Sequence, residues 1–397
     1  MSSAWETICA EPRWGALGSI RVLDLTVALA GPYCTQLLAD QGACVLKVEP
    51  PGGDMMRVVP PMFEAANRNK LGVVLDLKSD AGRTALLELV DGADVLVENF
   101  RVGVMDRLGL SYEVLSERNP RLVYAAIRGF GDPRTGESPY GDRPCFDVIA
   151  QAVGGLTSVI GTDTPLPVGI GIGDIFPGTL AAFGILAALH EAQQSGHGQF
   201  LDVGMVDGML ALCEQLVSQL SATGETMRGA GTRHIVLSPF GLFRARDGWV
   251  ALAADQQRAW ERLCEVMDRS DLMADPRFSS PLARQQNRDA LYPTIEEFVA
   301  RQTRAELDAA LGGIVPFGLV QDAADIVADP HYAARDMLIE VDRPDGQQPL
   351  IVAGVPVKLS RTPGGVHCRA PTLGEHNELL LDVGWGDDQT EELTDND

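Results

Sequence analysis

Residues 169–178 read GIGIGDIFPG. Three glycines alternate with isoleucines, one acid follows at Asp174, and Pro177 and Gly178 close the stretch. Glycine lets a backbone approach a ligand closely or turn with positive φ. The apolar run from Thr179, TLAAFGILAALHEA, predicts a buried helix. Asp174 therefore falls at or just before a helix N-terminus. Two roles suit a carboxylate there: an N-cap, the commoner use of an acid at that place, or a nucleophile or base presented on a tight turn. A second grouping is cationic. Of four lysines, Lys47, Lys70 and Lys78 fall in one short segment, as an anion site would require and as chance in a lysine-poor chain would also allow.

The elements around these residues alternate. IRVLDLT (20–26), CVLKVE (44–49), VVLDL (73–77), DVLVENF (94–100) and RLVYAAIRGF (121–130) read as strands. Between them GPYCTQLLADQGA (31–43) has helical spacing, Ser79 is placed to cap DAGRTALLELVDGA, and SYEVLSERNP is a polar helix. Such an order predicts an α/β fold, a Rossmann-like parallel sheet with helices on its faces. Residues 144–220 read as mostly helical, broken by the Gly-rich turn and by GQFLDVGM (198–205). Beyond about 225 the pattern shifts to a hairpin over 241–254, with Asp247-Gly248 as its turn, and to short amphipathic helices. The expected organisation is a large domain from 1–224, a smaller α+β domain over 225–335, and a segment 336–397 that returns to the large domain.

Composition narrows the function. The 397 residues are 45% hydrophobic and carry a formal net charge of -23, which argues against nucleic acid or an anionic membrane as a partner. Neither a secretory leader nor an uninterrupted transmembrane run is expected; 179–190 is too short on its own. A cytoplasmic protein is the default. Seven cysteines without C-x-x-C spacing predict reduced core residues, and six scattered histidines predict no metal site. No G-x-G-x-x-G follows the first strand, and no P-loop, H-E-x-x-H or G-x-S-x-G occurs. The sheet is thus expected to serve something other than NAD or ATP hydrolysis, and Glu49 alone is a weak stand-in for a ribose-binding acid.

Several segments, in order along nearly the whole chain, resemble the family III CoA transferases, the group of formyl-CoA transferase and carnitine CoA-transferase. They are RVLDLTVALAGPYCTQLLADQGACVLKVEPPGGD, ANRNK, VVLDLKS, DVLVENFRVGVMDRLGL, FDVIAQAVGGLTSVIG, GIGDIFPGTLAAFGILAALHEAQQSGHGQFLDVGMVDG, DPRF, DPHYAARDML and LGEHNELL. The α-methylacyl-CoA racemases share the fold and many of these motifs. The resemblance implies that Asp174 is the catalytic carboxylate. It attacks an acyl-CoA to give a mixed anhydride, takes up the CoA thiolate as an aspartyl-CoA thioester, and returns CoA to an acceptor acid. It implies CoA contacts at Ala28, Lys70, Asn99, Phe100 and Arg107, with Lys47 and Arg57 as secondary candidates and Asp147 as a supporting residue or a simple N-cap. It further implies no prosthetic group, an acyl-CoA and a small carboxylic acid as substrates, and a homodimer of interlocked chains.

Departures from the family's pattern also count. Leu29 stands where formyl-CoA transferases carry glutamine, which speaks against formate and oxalate. Phe146-Asp147 stands where racemases carry His-Asp, which removes the second proton-transfer group. The expectation is a CoA transferase. The alternatives are an acyl-CoA isomerase (a racemase, or transfer within one dicarboxylate) and a non-catalytic acyl-CoA-binding protein.

Overall fold

The computed structural model describes residues 14–383 together with Trp5, Ile8 and Cys9. Six short strands form one parallel sheet: β1 (Arg21–Asp24), β2 (Cys44–Glu49), β3 (Leu71–Val74), β4 (Val95–Glu98), β5 (Val123–Arg128) and β6 (Phe200–Gly204). Their order is β3-β2-β1-β4-β5-β6, with every neighbouring pair parallel. Parallel strands are covered on both faces, and the side chains divide accordingly. Leu23, Leu46, Val73, Leu96 and Tyr124 enter one core with Leu86 and Leu89. Val22, Val45, Val95, Val123 and Ala125 enter the other with Cys34, Leu38, Ala181 and Ile185. The period of two in RVLD and VLVE reflects this alternation.

The covering helices are α1 (Ala30–Asp40), α2 (Pro60–Asn67), α3 (Asp80–Val90), α4 (Val104–Arg107), α5 (Tyr112–Arg118), α6 (Asp147–Val153), α7 (Ile172–Ser195) and α8 (Met205–Leu212). Ser79 caps α3 as expected, its Oγ accepting the Gly82 N–H at 3.0 Å. Helix α7 differs from expectation. It begins at Ile172, seven residues before Thr179, and its 24 residues are long and apolar enough to cross a bilayer. The expectation that this run is too short is thereby corrected; Ala181, Ile185, Ala188 and Leu189 lie buried in the core beside the sheet. Glycine and proline are poor helix formers, which hid the first turns of α7. Gly178 permits a close crossing, since a Cβ there would stand 2.5 Å from the Ala30 carbonyl oxygen on α1.

Two units divide the chain. The sheet and helices above belong to one, built from the residues up to Leu156, Val168–Glu214 and those from Pro330 onward. Its late segment binds back to the β3 edge: Asn377 Oδ1 accepts the Val74 N–H at 2.9 Å, and His376 Nδ1 accepts that of Gly72 at 3.1 Å. The other unit, Thr157–Pro167 and Gln215–Asp329, carries an antiparallel sheet of β7 (Phe240–Ala245), β8 (Gly248–Ala253) and β9 (Phe317–Leu319). The hairpin turn is Arg246-Asp247, one residue earlier than expected, because Gly248 already pairs with Ala245. Trp260, Leu263, Tyr292 and Leu307 fill the core of this unit.

Candidate active site

In a sheet of this order the chain reverses direction between β1 and β4, and ligands bind at the carboxyl ends of the strands there. The residues leaving those two strands are Val27–Ala28 and Asn99–Phe100. Asn99 holds Val27 by both backbone groups: its Oδ1 accepts the Val27 N–H at 2.9 Å and its Nδ2 donates to the carbonyl at 2.7 Å. Asn99 thus shapes the turn rather than presenting free polar atoms.

Phe100 is fixed in the same way. Its N–H donates to Glu98 Oε2 at 2.8 Å, and its carbonyl accepts from Arg128 Nη1 at 2.9 Å. Arg128 Nη2 closes the loop on Glu98 Oε1 at 2.6 Å. Burial pushes Glu98 up to about 7 despite that guanidinium. Glu98 and Arg128 escaped the sequence analysis, although the acid sits directly before the Asn-Phe pair.

Beside Phe100 lies an apolar cavity of about 220 Å³, lined among others by Val27, Val48, Leu75, Lys78, Phe100 and Val104. Lys78 is among the lining residues, and Arg101 and Arg107 neighbour the lining residues Phe100 and Leu108 in the chain. All three are exposed, and none enters an ion pair among the described residues. An apolar slot edged by unpaired cations suits a nucleobase attached to phosphates. A larger cavity of about 690 Å³ lies elsewhere, lined by Glu340, Asp342 and Glu375 among others. Its Lys70 and Arg369 are already paired with Asp24 and Glu375, so it offers a polyphosphate little.

The lysines resolve differently from expectation. Lys70 is fully buried, with its ammonium on Asp24 Oδ2 (2.9 Å), the Pro32 carbonyl (2.9 Å) and Asn67 Oδ1 (2.8 Å). Its three donors are spent, so it has none for a phosphate. Lys47, also buried, binds Asp54 Oδ2 and the Thr26 carbonyl, each at 2.9 Å. Arg57 is committed to Glu49 through two hydrogen bonds of 2.8 and 2.5 Å. That pair occupies Glu49, which also accepts the Asp54 N–H. The lysine of the cluster left free to meet an anion is Lys78, and its exposed place after β3 was the signal.

The second half of the site is the start of α7. Gly171, with φ +70°, occupies the cap position, and Asp174 lies in the first turn. Asp174 is thus not the N-cap. It is half-buried, and its carboxylate makes no hydrogen bond to the described residues. Burial, reinforced by the Asp147 carboxylate, pushes Asp174 up to about 7.

Asp147 is not a cap either, since Phe146 takes that position on α6. The Asp147 side chain reaches across to α7, where Oδ1 accepts the Gly173 N–H at 2.7 Å, and both its oxygens accept from Gln151 at 2.9 Å. Gln151 also grips Val168 through its N–H and its carbonyl. The glycine-rich approach to Asp174 is therefore anchored at both ends. A Cβ on Gly173 would lie 2.5 Å from the Asp147 carbonyl oxygen, which requires glycine there.

The sheet order, the apolar slot near exposed cations and the half-buried Asp174 carboxylate are all compatible with an enzyme that binds a nucleotide-bearing substrate. The model of the CoA-transferase family III matches residues 17–377, and the chain belongs to that family. It is 46% identical to a succinyl-CoA:mesaconate CoA-transferase of Haloarcula hispanica, over 95% of this chain and 99% of that one. It is 37% identical to a succinyl-CoA–D-citramalate CoA-transferase of Chloroflexus aurantiacus, over 92% and 94%. A crystal structure of a CAIB/BAIF family protein from Brucella suis superposes with a TM-score of 0.83 at 31% identity, covering 94% of this chain and all of that one. The chain is a CoA-transferase acting on acyl-CoA and carboxylic acids.

Proposed function

We propose that CoA passes between two free acids by way of Asp174, with succinyl-CoA as donor and a C5 dicarboxylate of the mesaconate type as acceptor. The observation that carries the mechanism is the unpartnered, half-buried Asp174 carboxylate, raised to about 7. A carboxylate of raised basicity is a better nucleophile toward a thioester than a solvated one. Its attack expels CoA thiolate and leaves an acyl-aspartyl anhydride. The thiolate then attacks the aspartyl carbonyl, releases the acid and forms the aspartyl-CoA thioester. The acceptor carboxylate reverses both steps. The Gly173 N–H is held by Asp147 and those of Asp174 and Ile175 by the Gly171 carbonyl, so oxyanion stabilisation falls to the dipole at the start of α7.

The choice of acids is supported by the names of the relatives above. A panel of succinyl-CoA and acetyl-CoA against mono- and dicarboxylates, read by mass spectrometry, tests it. Transfer confined to other acids overturns the assignment. Epimerisation and α-deuteration of a 2-methylacyl-CoA in D₂O would favour the racemase reading, for which Phe146 supplies no acid or base.

In this reading Phe100 and Val27 flank the adenosine end of CoA, and Lys78 and Arg107 meet its phosphates. Replacing both cations by alanine raises KM for acyl-CoA by about tenfold or more, steepest at low salt, with kcat little altered. An unchanged KM removes them from the site.

Asp174 must be ionised to attack. Activity therefore rises with pH through about 7 and levels off above it. In Asp147→Asn the neighbouring negative charge is gone, so the midpoint of the kcat/KM profile moves down by about one unit or less. A midpoint that stays fixed or moves up contradicts this coupling.

The same reading includes a homodimer. In the sheet-bearing unit Phe183 and Leu186 on α7, Val148 and Val153 on α6, and Leu210 on α8 are exposed, Phe183 at 71%, an apolar area suited to a second copy. Sedimentation should return twice the 42.6 kDa chain mass; a monomer refutes it.

A further inference from the structure

Ala28 has φ +65° although it carries a Cβ. An L-residue is strained in that region, and such strain persists only where the surroundings over-determine it. Here six hydrogen bonds do so. Asn99 holds Val27 by both its backbone groups. Thr26 is fixed by Asp24, which accepts its N–H at 2.9 Å and its hydroxyl at 2.5 Å, and by Lys47 on its carbonyl. Asp54 Oδ1 accepts the N–H of Ala28 itself at 3.2 Å.

Asp54 divides its two oxygens. Oδ1 serves the N–H groups of Ala28 and Met56, and Oδ2 faces Lys47 at 2.9 Å. The two side chains are 0% exposed. The turn they hold has two working flanks. Val27 lines the apolar cavity. Leu29 reaches the cap of α7, its Cδ2 only 2.8 Å from where a Cβ on Gly171 would stand.

We propose that the buried Lys47–Asp54 pair is a positioning device that locks Ala28 in its left-handed conformation, and so fixes the wall joining the CoA cavity to the cap of the helix that bears Asp174. The proposal rests on the acyl-CoA reading given above. Neither residue touches substrate. Lys47 neutralises an aspartate whose task is to hold a backbone N–H, and this gives Lys47 a purpose other than binding phosphate.

The test uses CoA alone as ligand and calorimetry as readout, so it does not depend on turnover. Lys47→Met/Asp54→Leu removes the pair without stranding either partner's charge, and buried Asp24 keeps its Lys70 partner. It is compared with the wild-type chain, and the same comparison is repeated in chains that also carry Ala28→Gly. Glycine adopts positive φ without strain, so a clamp that serves to hold that conformation matters less when glycine is present. Removing the pair should raise the Kd for CoA by about tenfold or more with alanine at position 28, and by about threefold or less with glycine. Equal losses in the two backgrounds, or no loss in either, overturn the proposal.

Should the leucine variant not fold, Lys47→Met/Asp54→Asn retains an oxygen for the Ala28 N–H. It should then bind CoA within about threefold of wild type, and a tenfold loss overturns the proposal. A wild-type chain that binds CoA but transfers it between no pair of acids removes the proposed function and leaves this test readable. A wild-type chain that does not bind CoA ends both.

Discussion

Asp174→Asn lowers turnover by about a thousandfold or more and leaves the fold and CoA affinity near wild type. Asparagine is almost isosteric with aspartate, and the cap of α7 is Gly171, so no helix cap is lost. In the proposed mechanism the substitution removes the anionic oxygen that opens the thioester. A purely structural Asp174 would predict near-normal turnover. The stability effect has its own sign. The folded-state value, about 7, stands above the ordinary 3.8, so ionisation of Asp174 opposes folding, and its destabilising effect grows as the pH rises from about 4 to 7. At pH 8 the Asn variant should therefore melt no earlier than wild type. Trapping gives a second readout. Wild-type enzyme with acyl-CoA and hydroxylamine should acquire a hydroxamate on the peptide containing Asp174, and the variant should not. Turnover in the variant with no adduct on the wild type refutes the covalent route.

Lys70→Met destabilises the protein by roughly 3–5 kcal/mol, because it strands the Asp24 carboxylate in the core. Asp24 is wholly buried and accepts from Thr26, Thr35 and Lys70. Against the cost of burial, the Lys70 and Lys47 ammonium groups and these hydroxyls hold its carboxyl well below the usual range. Adding Asp24→Leu to Lys70→Met should restore part of the loss, since an apolar pair costs less than an orphaned charge. Denaturant melts at 25 °C measure both variants. CoA affinity of the folded Lys70→Met protein should match wild type. A tenfold loss of affinity without a loss of stability would instead favour the phosphate contact that the family resemblance implied.

Local signals carried most of the fold. CVLKVE becomes β2 residue for residue, and Ser79 caps where a serine before an acidic first turn should. The parallel sheet follows from strand-helix alternation, borne out by six strands in the order expected of a nucleotide-binding topology. The misses share a physical cause, which is that pairing across long sequence separations decides them. Lys70 reads as a free cation until Asp24, 46 residues earlier, meets it. A cap is one of two readings for both Asp147 and Asp174; Phe146 and Gly171 take those positions, and Asp147 reaches Gly173. Nothing local marks Asp54 as the acceptor for Ala28, 26 residues away. Asp174 stands out in the sequence, because an acid beside alternating glycines is conspicuous in any context.

The burial of two lysines also bears on the hazards of handling activated thioesters. Acyl-CoA acylates amines without any enzyme, and a lysine near its binding site is the natural target. This chain has four lysines. The core encloses Lys47 and Lys70, leaving Lys78 and Lys358 exposed, while 28 of its 32 basic side chains are guanidinium groups, which resist acylation at neutral pH. Exposure to self-acylation thus narrows to Lys78, which lines the apolar cavity, and Lys358, and in the proposed CoA site the cation beside Lys78 is Arg107, which the substrate cannot modify.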